Sequence, residues 1–374
     1  MRTGLSGSTR TITRRQSFAA GALVLGGAAT ACSSGDEGYD ALAEALSAPA
    51  EPVTAPFPRS HQQLVRYASL AASGHNTQPW RFTVSDPVIE LSPDFSRRTP
   101  VVDPDDHHLF ASLGCAAENL SLAARASGLG GEVDMEGERL SVALASGAAE
   151  ASPRFDVIPQ RQCTRLEYAG SALSAEERAR LIAAVEQGGQ VSATVFDGAA
   201  DKTRLTELII QGNSAQIADP AFVRELRDWI RFNEAEAARL RDGLFAASSG
   251  NPQLPGWLGR RLFGLVFTAD AENAKIARQI ESSGGLIALM AEENSPRGWM
   301  EAGRAAQRLQ LEATVLGLKT AYLNQPVEVA SLRPELAALM GAPGRRPNLL
   351  LRVGRGPAAP RSLRRSVEAV IEPA

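Results

Sequence analysis

A polar turn early in the chain contains side chains that can form hydrogen bonds with the edge of a ligand. Residues 73–80 read Ser-Gly-His-Asn-Thr-Gln-Pro-Trp, after a helical pattern and before a strand pattern. Asn76 and Gln78 can each donate and accept hydrogen bonds, which suits a heteroaromatic ring with alternating carbonyl groups and nitrogens. Without a ligand, the same turn would simply connect a helix to a strand, and the residue types alone favour that simpler interpretation.

Two arginines four residues apart form a second candidate site. Arg161 and Arg165 could both bind one phosphate if their segment begins a helix, where backbone N–H groups add to the positive field. Thr164 is a further hydroxyl donor for the same anion. Glu167 would weaken anion binding unless it is paired elsewhere. Chains rich in arginine produce this spacing by chance, so the pair alone is weak support for a phosphate site.

The other reactive side chains predict neither a catalytic residue nor a metal site. His107 and His108 follow aspartates at 103, 105 and 106, which resembles a metal cluster, but acidic residues commonly cap a helix at such a position. The chain has no Cys-x-x-Cys segment and only 4 histidines, which argues against zinc. Cys115 and Cys163 could form a disulfide, and the sequence leaves this open.

A repeat in the sequence organises the elements that must position these residues. Residues 114–129 recur at 303–318, with glycine at the entry and at the helix stop of both copies. Small residues along this stretch would let two such helices pack backbone to backbone. We therefore expect two related halves, residues 59–150 and 151–374, to meet along these helices as a symmetric homodimer would, but within one chain.

The order of helices and strands predicts an α+β fold. Strand patterns at 191–196, 286–290 and 349–353 are mixed with helical patterns and lack a regular βαβ rhythm. No Gly-x-Gly-x-x-Gly segment joins a strand to a helix, which disfavours a dinucleotide-binding fold. We expect two pseudo-symmetric halves, each with a mixed sheet flanked by helices, packed along long central helices.

The N-terminus has the pattern of an export signal. An arginine pair within residues 14–18 precedes an apolar stretch at 19–29, which resembles a twin-arginine signal. Residues 29–32 read Ala-Thr-Ala-Cys and fit both an ordinary cleavage site and a lipobox, with Cys32 as the acylated residue. We expect a signal over 1–32, a flexible tether over 33–58, and a protein that is periplasmic or anchored outside the inner membrane through lipid at Cys32.

Composition excludes some partners. The 374 residues carry a net charge of −3, which gives no basic excess for binding nucleic acid. The 44% hydrophobic and 22% charged residues are typical of a globular protein. We therefore expect a small molecule as the partner.

The two candidate sites resemble segments of the nitroreductase family. Residues 73–80 resemble its Ser-x-x-Asn-x-Gln-Pro-Trp segment, which lies along the FMN ring, and residues 161–165 resemble its Arg-Arg-Ser-x-Arg segment, which holds the FMN phosphate. Residues 318–325 resemble the turn whose N–H groups meet the reactive flavin nitrogen, and 364–365 the distal phosphate contact. The resemblance implies the following FMN-binding residues: Ser73, Gly74, His75, Asn76, Gln78, Arg161, Thr164, Arg165, Asn324, Gln325, Arg364 and Arg365.

The order of these segments resembles the Acg-like branch, which is similar to a fused nitroreductase dimer. The Gln-Pro-Trp segment lies in the first half and the arginine segment in the second, so one FMN site would form between the halves. Neither half has both segments, so we expect no second complete site. The protein would then work as a monomer.

The resemblance implies an FMN-dependent oxidoreductase that reduces nitroaromatic or quinone-like acceptors by two electrons. The cofactor carries the hydride chemistry, so no catalytic side chain is required. NAD(P)H would be the transient electron donor, although an exported protein meets little of it. The alternative is a non-catalytic flavin-binding or flavin-sequestering protein in which a segment such as 243–262 covers the ring. A third interpretation is an arginine-lined pocket for another phosphate ligand.

Overall fold

A computed structural model describes Met1 and residues 38–372. The predicted signal segment and Cys32 lie outside the described residues. In residues 38–372, no helix is both long enough and apolar enough to cross a membrane.

The α+β fold is confirmed, with helices distributed along the whole described chain. The α-helices are α1 Tyr39–Ser47, α2 Arg59–Ser69, α3 His107–Ala126, α4 Pro153–Asp156, α5 Ala175–Glu186, α6 Ala199–Ala218, α7 Pro220–Trp229, α8 Glu234–Leu240, α9 Gly256–Val266, α10 Ala269–Glu281, α11 Pro296–Val315, α12 Gln325–Glu328 and α13 Arg333–Leu339. The strands are β1 Trp80–Ser85, β2 Val88–Pro93, β3 Gly130–Glu136, β4 Arg139–Leu144, β5 Val191–Phe196, β6 Ile230–Arg231, β7 Leu244–Phe245, β8 Gly285–Ala291, β9 Lys319–Tyr322, β10 Leu349–Gly354 and β11 Ile371–Glu372.

Two main sheets divide the strands along the sequence. The first has the order β11-β1-β2-β4-β3 and the second the order β5-β8-β10-β9, while β6 and β7 form a small parallel pair. Every residue of β8 and of β10 is buried, because helices cover both faces of these central strands. The first sheet is mixed. The named strands of the second pair antiparallel, and a parallel bridge joins Cys163 to Thr320 at its β9 edge.

The central helices α3 and α11 pack against each other between the two sheets. α11 begins at Pro296, earlier than its apolar pattern indicates, because Ser295 caps it by accepting a hydrogen bond from the N–H of Gly298. A capping box between Ser174 and Glu177 begins α5.

The C-terminal segment returns from the second sheet to the first. After β10 the chain runs to β11, which pairs in parallel with β1 through Phe82 and Ile371. The Arg81 guanidinium donates to Glu372 at 2.6 Å beside this pairing. This return was not predicted from the sequence, because β11 is only two residues long. It carries residues 359–365 past the cavities described below.

The expected tether is more ordered than predicted where the structure describes it. Residues 39–47 form α1, and Tyr39 donates from its hydroxyl to the carbonyl of Arg361 at 2.8 Å. Val53 is buried in the same hydrophobic core as Leu64 and Trp80. The flexible-tether prediction is therefore wrong for residues 38–58, because apolar side chains such as Leu42 and Val53 are removed from water there.

Candidate functional site

Two adjoining cavities are lined by residues from both of the segments 59–150 and 151–374. The larger has a volume of about 300 Å³ and the smaller about 50 Å³, and both are lined by Ser73 and Arg165. The cavities bring together nine of the twelve predicted site residues: Ser73, Gly74, His75, Arg165, Asn324 and Gln325 in the larger cavity, with Asn76, Arg161 and Arg364 added by the smaller. The remaining three, Gln78, Thr164 and Arg365, do not line either cavity.

Four arginines line the smaller cavity, and none of the described residues around it is acidic. They are Arg161, Arg165, Arg361 and Arg364. Burial, followed by repulsion from Arg161, lowers the pKa of Arg364 to about 9 and that of Arg361 to about 10. Cations that repel one another without a facing carboxylate favour an anion between them. The cavity is therefore suited to a phosphate group.

Backbone carbonyls orient two of these arginines. Arg161 donates through Nη2 to the carbonyl of Leu70 at 2.9 Å and through Nη1 to Oε1 of Gln310 at 3.2 Å. Its Nε has no partner among the described residues. Arg364 donates to the carbonyls of Ser69 and Ala71 at 3.0 and 3.1 Å. These bonds hold the guanidiniums at the cavity without neutralising their charge.

The segment that carries Arg161 and Arg165 is not the start of a helix, so that expectation was wrong. It follows α4 in extended form, because Cys163 bridges to β9 and the N–H of Thr164 donates to the carbonyl of Thr320 at 2.9 Å. Thr164 is fully buried, and its own carbonyl accepts from Arg352 at 3.0 Å. Its hydroxyl lies 3.5 Å from Oε1 of Gln162, and Thr164 itself lines neither cavity.

The structure shows the hydrogen-bond partner of Glu167 and the state of the two cysteines. Glu167 receives a hydrogen bond from Arg278 at 2.9 Å and does not line either cavity, so it does not weaken the anion site. Cys115 and Cys163 are free thiols. Burial raises the pKa of Cys115 to about 12, so its thiol stays protonated.

The polar turn uses its amides differently from the prediction. Asn76 donates through Nδ2 to the carbonyls of Gly243 and Leu363, both at 3.0 Å. Gln78 donates to the carbonyl of Arg241 at 2.9 Å, and its Oε1 accepts from the N–H of Arg365 at 2.8 Å. The amide N–H groups of Asn76 and Gln78 therefore already have acceptors in the backbone. Of the amide oxygens of these two residues, that of Asn76 is buried without a partner among the described residues.

The turn needs unusual backbone geometry to make these contacts. His75, Asn76 and Gln78 all have positive φ angles, of 47°, 54° and 53°. This left-handed region is unfavourable for most side chains, and Asn tolerates it better than most residues. The hydrogen bonds to 241–243 and 363–365 hold the turn in this shape beside the cavities.

The turn at Asn324 and Gln325 forms another wall of the larger cavity. Oδ1 of Asn324 accepts from the N–H of Leu350 at 2.9 Å, which fixes the turn to β10. Gln325 begins α12, so its N–H has no acceptor within the helix. Its Oε1 is buried without a partner among the described residues. The turn therefore presents polar groups to the cavity.

Three polar side chains that the sequence did not connect with one another also line the larger cavity. Nε2 of His108 is 3.4 Å from Oε1 of Glu328, and Gln216 donates to Oε2 of Glu328 at 2.6 Å. All three residues line the larger cavity. They come from α3, α12 and α6, and no local sequence signal connects these elements.

Of the three aspartates near His108, Asp103 caps the helix through its side chain, while Asp105 pairs with Arg346 and Asp106 with Arg98. The Asp103 carboxylate accepts from the N–H groups of His108 and Leu109 at 2.9 to 3.0 Å. Ligand atoms of Asp103, His107 and His108 lie within 4.8 Å of one another. However, Nε2 of His107 lies 3.1 Å from Nδ2 of Asn348, so these groups already have protein partners. The cluster gives no reason to assign a metal.

Aromatic side chains also line the larger cavity. Phe222 comes from α7, Phe245 from β7 and Phe263 from α9, and Phe267 follows α9. A flat apolar molecule in this cavity would therefore meet both aromatic side chains and polar groups. Residues 244–251 also contribute to the lining, so the segment expected to cover a ring lies beside this cavity.

Comparison with known proteins gives several relatives. No family model matches the chain. The chain is 28% identical over 323 residues to "Putative NAD(P)H nitroreductase Rv3131" of Mycobacterium tuberculosis, covering 82% of this chain and 89% of the relative. It is 26% identical over 310 residues to "Probable NAD(P)H nitroreductase PigM" of Serratia, covering 75% of this chain and 84% of the relative.

Solved structures give weaker matches. A nitroreductase-like family protein from Bacillus cereus superimposes with a TM-score of 0.34 at 14% identity, covering 59% of this chain and 94% of the other. The FMN-dependent nitroreductase NfnB from Mycobacterium smegmatis, solved with NADPH, gives a TM-score of 0.31 at 17% identity, covering 57% and 90%. By sequence, over as much as 82% of its length, the chain is similar to proteins named as NAD(P)H nitroreductases.

Proposed function

We propose that this protein is an FMN-dependent oxidoreductase of the nitroreductase type. The observation that carries the proposal is the smaller cavity, where four arginines meet without an acidic residue and adjoin a larger cavity with aromatic and polar walls. FMN combines a phosphate with a flat ring, so its two ends suit the two cavities. The names of the sequence relatives support the same activity.

The residues that would hold FMN follow from this geometry. Arg161, Arg165, Arg361 and Arg364 would bind the phosphate through charge-assisted hydrogen bonds. His75 and the turn at 324–325 would border the ring. When bound, FMN supplies hydride transfer, and the protein supplies its binding and orientation.

We propose a nitroaromatic or quinone-like molecule as the electron acceptor. The aromatic side chains that line the larger cavity provide an apolar surface for such a flat molecule. NAD(P)H is the electron donor that the names of the relatives indicate. The second candidate function is flavin binding without turnover, favoured by residues 244–251, which line the same cavity and could exclude a substrate.

We also propose export by the twin-arginine route, with lipid attachment at Cys32. The support is the sequence pattern of residues 14–32. Cell fractionation of the full chain tests this placement, and a protein found only in the cytosol would contradict it.

The test of the main proposal is the visible spectrum of the purified protein with and without NADPH in the absence of oxygen. We expect a flavin spectrum that bleaches with NADPH and returns when a quinone is added. The sequestering function would be favoured by two results together: the flavin spectrum persists after NADPH is added, and protein reduced with dithionite does not react with quinone. A colourless protein that refuses added FMN would contradict both.

Variants test the phosphate assignment directly. Replacing Arg161 and Arg165 together with Gln removes two of the four charges, and we expect at least a hundredfold weaker FMN binding, since hydrogen bonds to charged groups each contribute about 1.5–3 kcal/mol. The matched control is Arg204→Gln, because Arg204 is exposed on α6 and lines neither cavity. Equal FMN affinity in both variants would overturn the assignment.

A further inference from the structure

The wall of the larger cavity contains an ion pair that the proposed FMN contacts do not use. Nε2 of His108 lies 3.4 Å from Oε1 of Glu328, and the side chains are only 11% and 17% exposed. Gln216 donates to the other carboxylate oxygen at 2.6 Å. A buried ion pair contributes little net stability compared with apolar packing, because both charges lose hydration. Stability alone therefore does not explain an ion pair in a cavity wall.

The charges around His108 favour its protonated form. Burial alone would lower the pKa of His108, but the hydrogen bond to Glu328 and the negative charges of Asp103 and Glu328 raise it above the ordinary value, against the opposing charge of Arg346. Burial would raise the pKa of Glu328, but its hydrogen bond to His108 lowers it. Glu328 therefore stays ionised and holds the imidazolium.

The neighbouring histidines remain neutral. Burial lowers the pKa of His75 to about 4, and burial together with the charge of His108 lowers that of His107 well below its ordinary value. Among His75, His107 and His108, only His108 therefore carries a proton that it can give up near neutral pH. His108 lines the same cavity as the aromatic side chains described above.

Two-electron reduction of a quinone requires a proton as well as a hydride. The bound cofactor would supply the hydride, and negative charge would develop on a quinone oxygen as the hydride arrives. We propose that His108 donates its proton to this oxygen in the same step, that Glu328 stabilises the charged imidazole, and that Gln216 is a positioning residue acting through Glu328. This inference rests on the proposed oxidoreductase function.

The proton and charge balance in this step. The N–H bond of the His108 imidazolium breaks, an O–H bond forms on the acceptor, and hydroquinone leaves. His108 becomes neutral and regains a proton from water. Because general acid catalysis typically contributes 10²–10⁴-fold, loss of His108 should slow this step by about that factor.

The experiment compares two acceptors in the full-length, FMN-loaded protein after reduction with dithionite. Reoxidation is followed by stopped-flow absorbance with 1,4-benzoquinone, which needs protons, and with ferricyanide, which takes single electrons and needs none. His108→Gln should slow reoxidation by benzoquinone about 10²–10⁴-fold and leave the ferricyanide rate within about twofold. His61→Gln is the matched control, since His61 lies on α2 and lines neither cavity.

The pH profile and an NMR titration test Glu328 separately from folding. In the wild type, benzoquinone reoxidation should fall as the pH rises through the pKa of His108. Glu328→Gln removes the stabilising charge, so the midpoint of this fall should move to lower pH, and the imidazole titration of His108 should move with it in the FMN-free protein. Flavin content in each variant reports that the site has folded.

The outcomes separate this inference from the proposed function. A colourless wild type, or one that neither acceptor reoxidises, would overturn both. A yellow wild type that benzoquinone reoxidises, with His108→Gln equally fast, would overturn only the proton-donor assignment. Equal slowing with both acceptors would also overturn the proton-donor assignment, because a purely structural effect does not distinguish the acceptors. An unmoved pH midpoint in Glu328→Gln would overturn it as well.

Discussion

Gly114 of α3 and Gly303 of α11 lie at the crossing of the two central helices, each against the backbone of the other helix. A Cβ atom on Gly114 would overlap the carbonyl oxygen of Met300, and one on Gly303 would overlap that of Ala111. The Sγ of Cys115 donates to the carbonyl of Gly303 at 3.1 Å beside this crossing. The two glycines therefore hold equivalent positions in the sequence repeat and also in the packing of the two helices. The predicted backbone-to-backbone contact is confirmed.

Gly303→Ala should destabilise the protein because the added methyl group has no space. Overpacking of this kind costs about 1–3 kcal/mol, and here the obstacle is a main chain that cannot rotate away. The α3 and α11 helices would have to separate, which disturbs both cavities. We expect a lower midpoint in urea-induced unfolding and weaker FMN retention.

The control for this substitution is Gly264→Ala on α9. Gly264 is helical, and a Cβ atom there would meet nothing within 4 Å. Alanine in an exposed helix is favoured over glycine by about 1 kcal/mol, so this variant should be slightly stabilised. If Gly303→Ala were as stable as Gly264→Ala, the close crossing would be incorrect.

Local patterns predicted the framework of the fold well. The β8 strand is a continuous apolar run and β10 is apolar except for Arg352, and their burial agrees with that composition. The repeat at 114–129 and 303–318 revealed the central helices because glycine and alanine are required where backbones touch. Such features depend on one segment and its own pattern, so one sequence is enough to find them.

The contacts of the site depend on segments far apart in the chain, and these were harder to predict. Asn76 reaches both Gly243 and Leu363, and neither partner carries a sequence signal for this contact. Arg361 was missed as a cavity residue, although it lies beside the predicted pair at 364–365. The His108–Glu328 pair was also missed, since only the packing of α3 against α12 brings the two residues together.

Gln78→Met should destabilise the protein and loosen the walls of the cavities. The substitution keeps the side-chain volume but leaves the carbonyl of Arg241 and the N–H of Arg365 without the side-chain partner that Gln78 supplies. Each buried polar group left unsatisfied costs about 1–3 kcal/mol, so we expect a loss of about 2–4 kcal/mol in the free energy of unfolding. Urea denaturation measures this loss.

Hydrogen exchange locates the effect of this substitution. The N–H of Gly243 donates to the carbonyl of Asn76 at 3.1 Å, so its exchange should accelerate when the turn loosens. Gln190→Met is the control, because Gln190 is exposed and lines neither cavity. Comparable stability and comparable exchange at Gly243 in the two variants would show that Gln78 does not hold this segment.

His75 should make the FMN-free protein less stable as the pH falls from 6.5 toward 4. Burial, with the charges of Arg165 and His108, lowers the pKa of His75 to about 4 in the folded state, against the opposing charge of Glu328. An unfolded histidine titrates near 6.5, so between these values the unfolded chain binds more protons. The stabilisation is thus fully present above pH 6.5 and is lost as the pH falls through this range.

His75→Asn isolates this contribution, because Asn does not titrate and tolerates the left-handed backbone at this position. His61 and His107 also have lowered pKa values and remain in both proteins, so their effect cancels in the comparison. We expect the difference in the free energy of unfolding between wild type and variant to change by about 2 kcal/mol between pH 7.5 and pH 4.5. Stability curves that stay parallel across this range would mean that His75 is as easily protonated in the folded protein as in the unfolded chain.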